Sequence, residues 1–525
     1  MSPGIAGGSW KIRTSISKSS YERGAKVADS KRRWFGLVAI ALGVATIIVD
    51  STIVNVAVPS IIKDLGVTST QAQWIQEVYT LVFASTLLVF GRLSDRFGRR
   101  AMFALGVVIF VVASLLAAQS QSGEFLIAAR FIQGIGGAMM LPTSLSILNS
   151  TFFGKERGIA FAIWGSTIGA AAALGPLVGG WLTTDLSWRW AFGINLPLGA
   201  AVLSGTFLFV IESKGEKETG ADYLGALLSI VSMGSLVFAL IEGRNYGWWK
   251  KLDGSGISII PLFILVFILS TAIFAKVQLD RNQSGKPVLF DISLLRINSF
   301  RNANFAAAIV SLGEFGLLFS LPLWLQNVLG YSAFGTGVIL LSLAVGSFLA
   351  SGVGGAVGTK SGPVAVVRIG ISLELVGVFV TALVIASRVD IWKVCVGLFI
   401  YGMGVGLATA QLTGVVLADV PVERSGQASG MASTMRQLGS ALGIAVLGTT
   451  LFSSFGSALN TLPMKDGIVK SAGAIIPQLP DAARKVASDG LSHASVVSAY
   501  VAVAFLFCGL MATFAIKKKI GRAHV

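Results

Sequence analysis

The sequence predicts an all-α membrane protein of about fourteen transmembrane helices, arranged as two pseudo-symmetric six-helix bundles plus an inserted helix pair. Three observations carry this reading. Of 525 residues, 54% are hydrophobic and 13% charged, with a mean hydropathy of +0.77, where an ordinary soluble domain carries about 25% charged residues. The apolar residues form continuous runs instead of the roughly ten-residue alternation of barrel strands, and about 20 such residues rising about 1.5 Å each cross a bilayer core. Short basic loops separate the runs and load one side of the chain with Lys and Arg.

Taken in order, residues 1–33 are rich in Ser, Gly and Lys and lack an apolar stretch, so they read as a disordered cytoplasmic tail and not as a cleavable signal. The N-terminal bundle, 34–213, holds runs at 35–58, 73–91, 101–118, 125–149, 158–181 and 191–211, bounded by charge or Gly/Pro clusters. A linker over 214–280 carries two further runs, 223–241 and 257–275. The C-terminal bundle, 281–516, holds 303–326, 335–357, 364–387, 394–417, 426–452 and 496–516; within it, 453–495 reads as an external loop because Pro463, Pro477, Pro480 and mixed charge interrupt it. Residues 517–525 form a second cytoplasmic tail. With the N-terminus inside, 28 Lys and Arg fall on that side and 11 on the other. This positive-inside bias and an even helix number place both termini in the cytoplasm. The sequons at Asn149 and Asn282 fall on the same side, which favours a prokaryotic source; the expected location is the plasma membrane, as a multi-pass protein of a bacterial inner membrane.

An internal repeat is visible. A shift of 264 residues lays Gly91, Arg96, Gly98 and Gly106 on Gly355, Lys360, Gly362 and Gly370, and a shift of 268 lays Gly134 and Gly136 on Gly402 and Gly404. The matches agree in topology, so a duplication relates spans 1–6 to spans 9–14 and leaves spans 7 and 8 inserted.

Several function classes are excluded. The net charge of +16 comes from basic loops between apolar runs, not from one basic face, so nucleic acid is not an expected partner. Cys395 and Cys508 lie inside spans and imply no disulfide framework. With two histidines, His493 and His524, no metal site or catalytic triad assembles. Gly354 to Ser361 resembles a phosphate-binding loop only superficially, since Thr359 stands where a glycine must precede Lys360. No enzyme chemistry, cofactor or metal is expected.

Charges inside spans point to function, because an ionised side chain at a helix centre costs about 2.5 to 3.5 kcal/mol. Six stand out: Asp50, Glu77 and Arg130, expected to share one cluster in the outer half, and Glu314, Glu374 and Arg436, expected to share a second near the midplane. Each group has two acids and one arginine. Burial raises a carboxyl pKa and a nearby Arg lowers it, so an acid without a fixed counter-ion is suited to exchange a proton.

Between spans 2 and 3 stands Gly91-Arg92-Leu93-Ser94-Asp95-Arg96-Phe97-Gly98-Arg99-Arg100. A carboxylate at the negative end of a helix needs cations or another helix N-terminus beside it, and glycines permit close approach and a tight turn. Span 5 carries Gly165, Gly169, Gly175-Pro176 and Gly179-Gly180, with Ala171 where a further glycine is usual. These segments resemble the loop signature and the antiporter motif of the major facilitator superfamily. Its fourteen-helix drug:proton antiporter branch is indicated by Asp50-Ser51-Thr52-Ile53-Val54-Asn55 with Pro59, by Ser187 to Phe192 with Asn195 and Pro197, and by Arg436-Gln437-Leu438-Gly439. The resemblance covers roughly residues 33 to 516. It implies that Asp95 and Arg99 latch the two halves, with Gly91, Arg96 and Gly98 as parts of the same switch. It also implies that Arg130 assists proton transfer and that Asp50 belongs to the transport path, while Pro176, by breaking a backbone hydrogen bond, is expected to kink span 5.

The function this implies is multidrug efflux: proton-coupled export of small lipophilic, often cationic compounds by alternating access, with the bilayer, small molecules and protons as partners and the chain acting as a monomer. One proton supplies about 2.3 kcal/mol per 100 mV for each net charge moved and about 1.4 kcal/mol per pH unit. A hundredfold gradient of a neutral compound costs about 2.7 kcal/mol, so no ATP site is required. The alternatives are a dedicated exporter of one metabolite or lipid, and a non-transporting sensor or scaffold, which would need neither a kinked span nor unpaired buried acids.

Overall fold

The computed structural model describes residues 30–215, 220–251, 254–462 and 464–516, and a long helix stands at each of the fourteen apolar runs. They are α1 (Ser30–Leu65), α2 (Ser69–Phe97), α3 (Arg99–Ala118), α4 (Gly123–Thr151), α5 (Gly154–Trp181), α6 (Asn195–Phe209), α7 (Tyr223–Tyr246), α8 (Ile260–Gln283), α9 (Asn298–Asn327), α10 (Ala333–Ser361), α11 (Pro363–Val384), α12 (Ile391–Val416), α13 (Ser425–Ala458) and α14 (Asp481–Phe514). Twelve helices are long and apolar enough to cross a membrane among the described residues, thirteen when α5 counts as one bent span. Thirty-residue α9 occupies the place of the ninth run, and fourteen is an approximate span count to that extent. The expected tails, 1–33 and 517–525, lie outside the described residues apart from Ser30 to Arg33, which open α1.

Helices are the form an apolar chain must take in lipid, where every backbone polar group has to be satisfied within the segment. Their ends are set locally. Thr68 accepts from Gln71 N while the Gln71 side chain accepts from Thr68 N, a capping box that opens α2. Ser122, Asp222 and Ser332 cap α4, α7 and α10 in the simpler one-sided way. Gly98 and Gly362, paired by the 264-residue shift, are each the single residue that breaks one helix from the next, with φ of +112° and +84°. L side chains seldom adopt that region, so the repeat is expressed in backbone conformation as well as in sequence.

The packing repeats too. In the first six helices α1 lies on α5 and α6, α4 on α2 and α3, and α3 on α6; eight helices later α9 lies on α13 and α14, α12 on α10 and α11, and α11 on α14. The two sets meet along α5 against α10 and α12, and along α13 against α2 and α4. Helices α7 and α8 pack on each other, and α7 also lies on α2 and α13. Only 11% of the apolar window of α8 is buried, so that helix is peripheral. In α5 a 40° bend separates Glu156–Ala171 from Leu174–Trp181. The ring of Pro176 blocks a carbonyl one turn earlier, which accounts for the position of the bend.

One expectation is overturned. Residues 453–495 are not an external loop: α13 continues to Ala458, α14 begins at Asp481, and a short helix, Lys465–Lys470, lies between them. Ile468, Ile476 and Leu479 are buried with Phe455 and Leu491, and Asn327 Nδ2 donates to Ala472 O at 2.9 Å. The start of α14 is amphipathic, with Ala487, Leu491 and Ala494 inward. Helical periodicity of that kind does not raise the hydropathy enough to mark a span.

Candidate functional site

Between the two sets of helices lies a cavity of about 420 Å³. Helix α1 supplies Ser51 and Thr52, α5 supplies Gly165, Gly169 and Pro176, and α9 supplies Glu314. Leu318, Leu340, Tyr401 and Val405 give it a largely apolar wall, and its charged lining is Glu314 and Arg436.

The midplane cluster expected from sequence is assembled here. Arg436 Nη2 lies 4.0 Å from Glu314 Oε2, and Arg436 Nη1 donates to Thr413 Oγ1 at 3.3 Å. Thr409 Oγ1 donates to Glu314 Oε1 at 3.1 Å, and the Tyr401 hydroxyl donates to the Glu314 carbonyl at 3.1 Å. Glu374 stands behind, on α11, close enough to interact electrostatically with both Glu314 and Arg436. It is fully buried, and neither carboxyl oxygen has a hydrogen-bond partner. A methyl built on Gly404 would lie 2.6 Å from Glu374 Cγ, so glycine on α12 makes the room this side chain occupies.

The outer cluster is assembled only in part. Arg130 Nη1 donates to Asp50 Oδ2 at 2.5 Å and to Gln133 Oε1 at 2.7 Å, and Arg130 Nε donates to Ile75 O at 3.1 Å. Gln133 Nε2 and Asn195 Nδ2 both donate to Asp50 Oδ1 at 2.7 Å, and both also reach Ser114 Oγ. The guanidinium lies 4.2 Å over the Tyr79 ring. Asp50 and Arg130 are at most 1% exposed and line no part of the cavity, although Ser51 and Thr52 do. Glu77 is not with them. It turns outward to Glu242 on α7, whose carboxyl is within hydrogen-bonding reach. Spacing along the sequence gives position along α2 but not direction around it, and Glu77 stands on the α7 side of that helix.

At one end of the bundle Asp95 joins the two sets. Its Oδ1 accepts from Arg99 Nη2 at 2.8 Å and Gly426 N at 2.9 Å, and its Oδ2 accepts from Gln427 N at 3.0 Å. Those two amides are the first turn of α13, so the negative C-terminal end of α2 is neutralised by a cation and by a second helix N-terminus. Arg99 Nη2 also donates to Val422 O at 2.6 Å. Gly91 packs against Gly426 and Gly430, and a methyl there would lie 2.7 Å from Gly430 Cα. Gly98 leaves space for Glu212, whose carboxylate accepts from Arg100 N and Ala101 N at 3.0 Å each and caps α3. Arg96 is exposed and donates to Gly220 O at 2.6 Å.

The glycines of α5 face two ways. A methyl on Gly179 would lie 3.2 Å from Ile53 Cα, and Gly175 closes on Thr52, both in α1; Gly169 meets Ser347 and Gly180 meets Phe334, both in α10. Gly165 lines the cavity. The bent helix is thus the packing seam between the two sets, with small residues at both contacts.

The family model for the Major Facilitator Superfamily matches residues 40–444. This chain belongs to that superfamily. Among its relatives are the "Probable actinorhodin transporter" of Streptomyces coelicolor, 35% identical over 83% of this chain and 75% of that protein, and the "Multidrug efflux pump LfrA" of Mycolicibacterium smegmatis, 30% identical over 90% and 95%. The crystal structure of the human organic anion transporter MFSD10 (TETRAN) has the same fold, with a TM-score of 0.61 at 14% identity over 92% of this chain and 99% of that one. As a facilitator-superfamily member the chain is a multi-pass membrane transporter of small molecules and not an enzyme.

Several residues of these clusters carry no charge. Gln133 and Ser114 complete the Asp50 shell, and Thr409 and Tyr401 hold Glu314. Asn149 Nδ2 donates to Ser425 Oγ at 2.6 Å, one residue before the Gly426 amide that Asp95 accepts. Neutral polar residues carry too small an insertion cost to stand out in an apolar run; their only signal is spacing, as with Gln133 three residues after Arg130. Outside the spans, Arg189 and Trp188 donate to Asp64 at 2.5 and 2.9 Å and hold its carboxyl below the usual range.

Proposed function

We propose that the chain is a proton-coupled multidrug efflux antiporter that exports small lipophilic, often cationic compounds. It acts as a monomer in a bacterial inner membrane, with both termini in the cytoplasm. The observation that carries this reading is the cavity cluster: an apolar chamber with one half-paired acid, Glu314, exposed to its contents, and a second acid, Glu374, sealed behind it with both oxygens unpartnered. A cation in the chamber and a proton on the acids compete for the same negative charge, which is the requirement for exchange. The relatives named as multidrug resistance or efflux proteins support export of more than one compound.

In this reading the bundles 34–213 and 281–516 rock about the cavity, the segment 214–280 adds the inserted pair, and Asp95 closes the cytoplasmic end. Asp50 and Arg130 form a buried pair whose rearrangement accompanies the opposite state. A dedicated exporter of one compound is the second reading, favoured by relatives named for single antibiotics.

The test is efflux from everted vesicles or cells with a panel of cationic and neutral dyes. Glu314→Gln is expected to slow cationic dyes about tenfold, a difference of about 1.4 kcal/mol, and neutral ones much less. Equal loss for both classes would assign Glu314 to proton coupling alone. Export of a single compound from the panel would establish the dedicated reading.

A further inference from the structure

The inserted pair α7–α8 is held at its two ends by different chemistry. At the latch end the ties are many. Asp222, at the start of α7, accepts from Gln278 Nε2 of α8 at 2.6 Å and from Leu289 N at 3.1 Å, and Gln278 Oε1 accepts from Phe290 N at 3.1 Å. Asp291 follows directly, pairing with Arg424, while its N–H donates to Gln427 Oε1 at 2.9 Å. Gln427 is the residue whose amide Asp95 accepts. The pair is thereby anchored to the first turn of α13.

At the other end α7 meets α2 through ring contact, Trp74 with Phe238 at 6.1 Å, and through two acids. Glu242 is 3% exposed, and its Oε2 accepts from Asn245 Nδ2 at 3.0 Å. The Glu77 carboxyl lies within hydrogen-bonding reach of the Glu242 carboxyl, and its Oε2 is buried with no hydrogen-bond partner. Two facing carboxyls hydrogen-bond only when one carries a proton. With both ionised, like charges in a low dielectric repel.

Charges on the elements packed around the pair are largely engaged elsewhere. On α4, Glu124 accepts from Gln71 and Arg130 is taken by Asp50. On α8, Arg281 belongs to the Asp222 end, as do Lys276 and Asp280 by their place in the helix. On α13, Arg436 lines the cavity. Arg244 follows Glu242 two residues on in α7, and Lys250 and Lys251 lie in the loop beyond it.

We propose that Glu77 and Glu242 form a second proton-binding site, separate from the cavity acids, whose shared proton clasps the inserted helix pair to α2 and whose loss releases that end while the Asp222–Asp291 end stays anchored. This gives the inserted pair a part in transport. Helix α2 carries Glu77 near one end and Asp95 at the other, so the clasp and the latch act on one rigid element.

The test reads geometry and not transport, so it stands apart from the proposed substrate class. Spin labels are placed at exposed Gln73 and Tyr246 of the full-length protein in lipid nanodiscs, with Cys395 and Cys508 replaced by Ser. The distance distribution is then followed from about pH 5 to about pH 9, the range in which buried carboxyls are known to titrate. In the otherwise native protein the short-distance population should fall by about half or more across that range. Glu77→Gln and Glu242→Gln should each hold the short distance at every pH, because an amide N–H donates to the remaining carboxylate. A distance independent of pH in the native pair, or a Gln variant that keeps the native titration, would overturn the proposal. Agreement of the two single variants guards against a fault peculiar to either one.

Discussion

Asp95 is 1% exposed and Arg99 equally so, and the carboxylate accepts from a guanidinium and two amides that belong to opposite halves of the chain. Removing one partner of a buried pair costs about 3–5 kcal/mol, here only in the state where α2 and α13 are joined. Asp95→Asn is therefore expected to lower the turnover of purified, reconstituted protein at least about tenfold, equivalent to about 1.4 kcal/mol. The amount inserted in the membrane should be unchanged, and native turnover in the variant would contradict this. Asp95 was legible because a charged motif between apolar runs leaves few explanations. Glu374 and Glu314 were legible for the same reason, as acids inside spans. Glu242 was not: it follows the run 223–241 by one residue and reads as an ordinary interfacial acid. The pairing of Glu77 depends on which way α2 is rotated, and an apolar helix with packing on several sides gives no unambiguous face from which to read that.

At the scale of elements, the segment between α13 and α14 behaves unlike a loop. Ile468 and Ile476 are each 1% exposed, and Leu479 closes the same cluster. Burying a side chain of that size contributes about 1.5–3 kcal/mol. Deleting residues 466–474 is accordingly expected to lower the thermal midpoint of the purified protein clearly. A midpoint unchanged by the deletion would show that this segment does not hold α13 and α14 together. The bend in α5 shows the opposite case, an element legible in detail, since Pro176 and the flanking glycines fix both where the helix bends and how closely α1 and α10 approach. The difference lies in the kind of signal. Proline and glycine act through backbone geometry wherever they stand, whereas the register of a half-polar helix is decided by the surface it lands on.

For the whole molecule, the repeated pairing of helices, the matching glycine breaks at Gly98 and Gly362, and the cavity between the two sets describe a machine with two similar halves and one shared chamber. Its architecture was largely readable from hydropathy, because the bilayer imposes helix length and leaves few alternatives. In the proposed function the acids around this chamber exchange protons for substrate. The most direct measurement is proton flux in sealed proteoliposomes holding the purified protein, a pH-sensitive dye inside, and an imposed gradient of a cationic substrate. Substrate flowing down its gradient is expected to drive protons in the opposite direction, and Glu374→Gln to abolish this proton movement in protein that still binds substrate. Substrate movement with no accompanying proton flux in the native protein, or native proton flux in the Glu374→Gln variant, would contradict it.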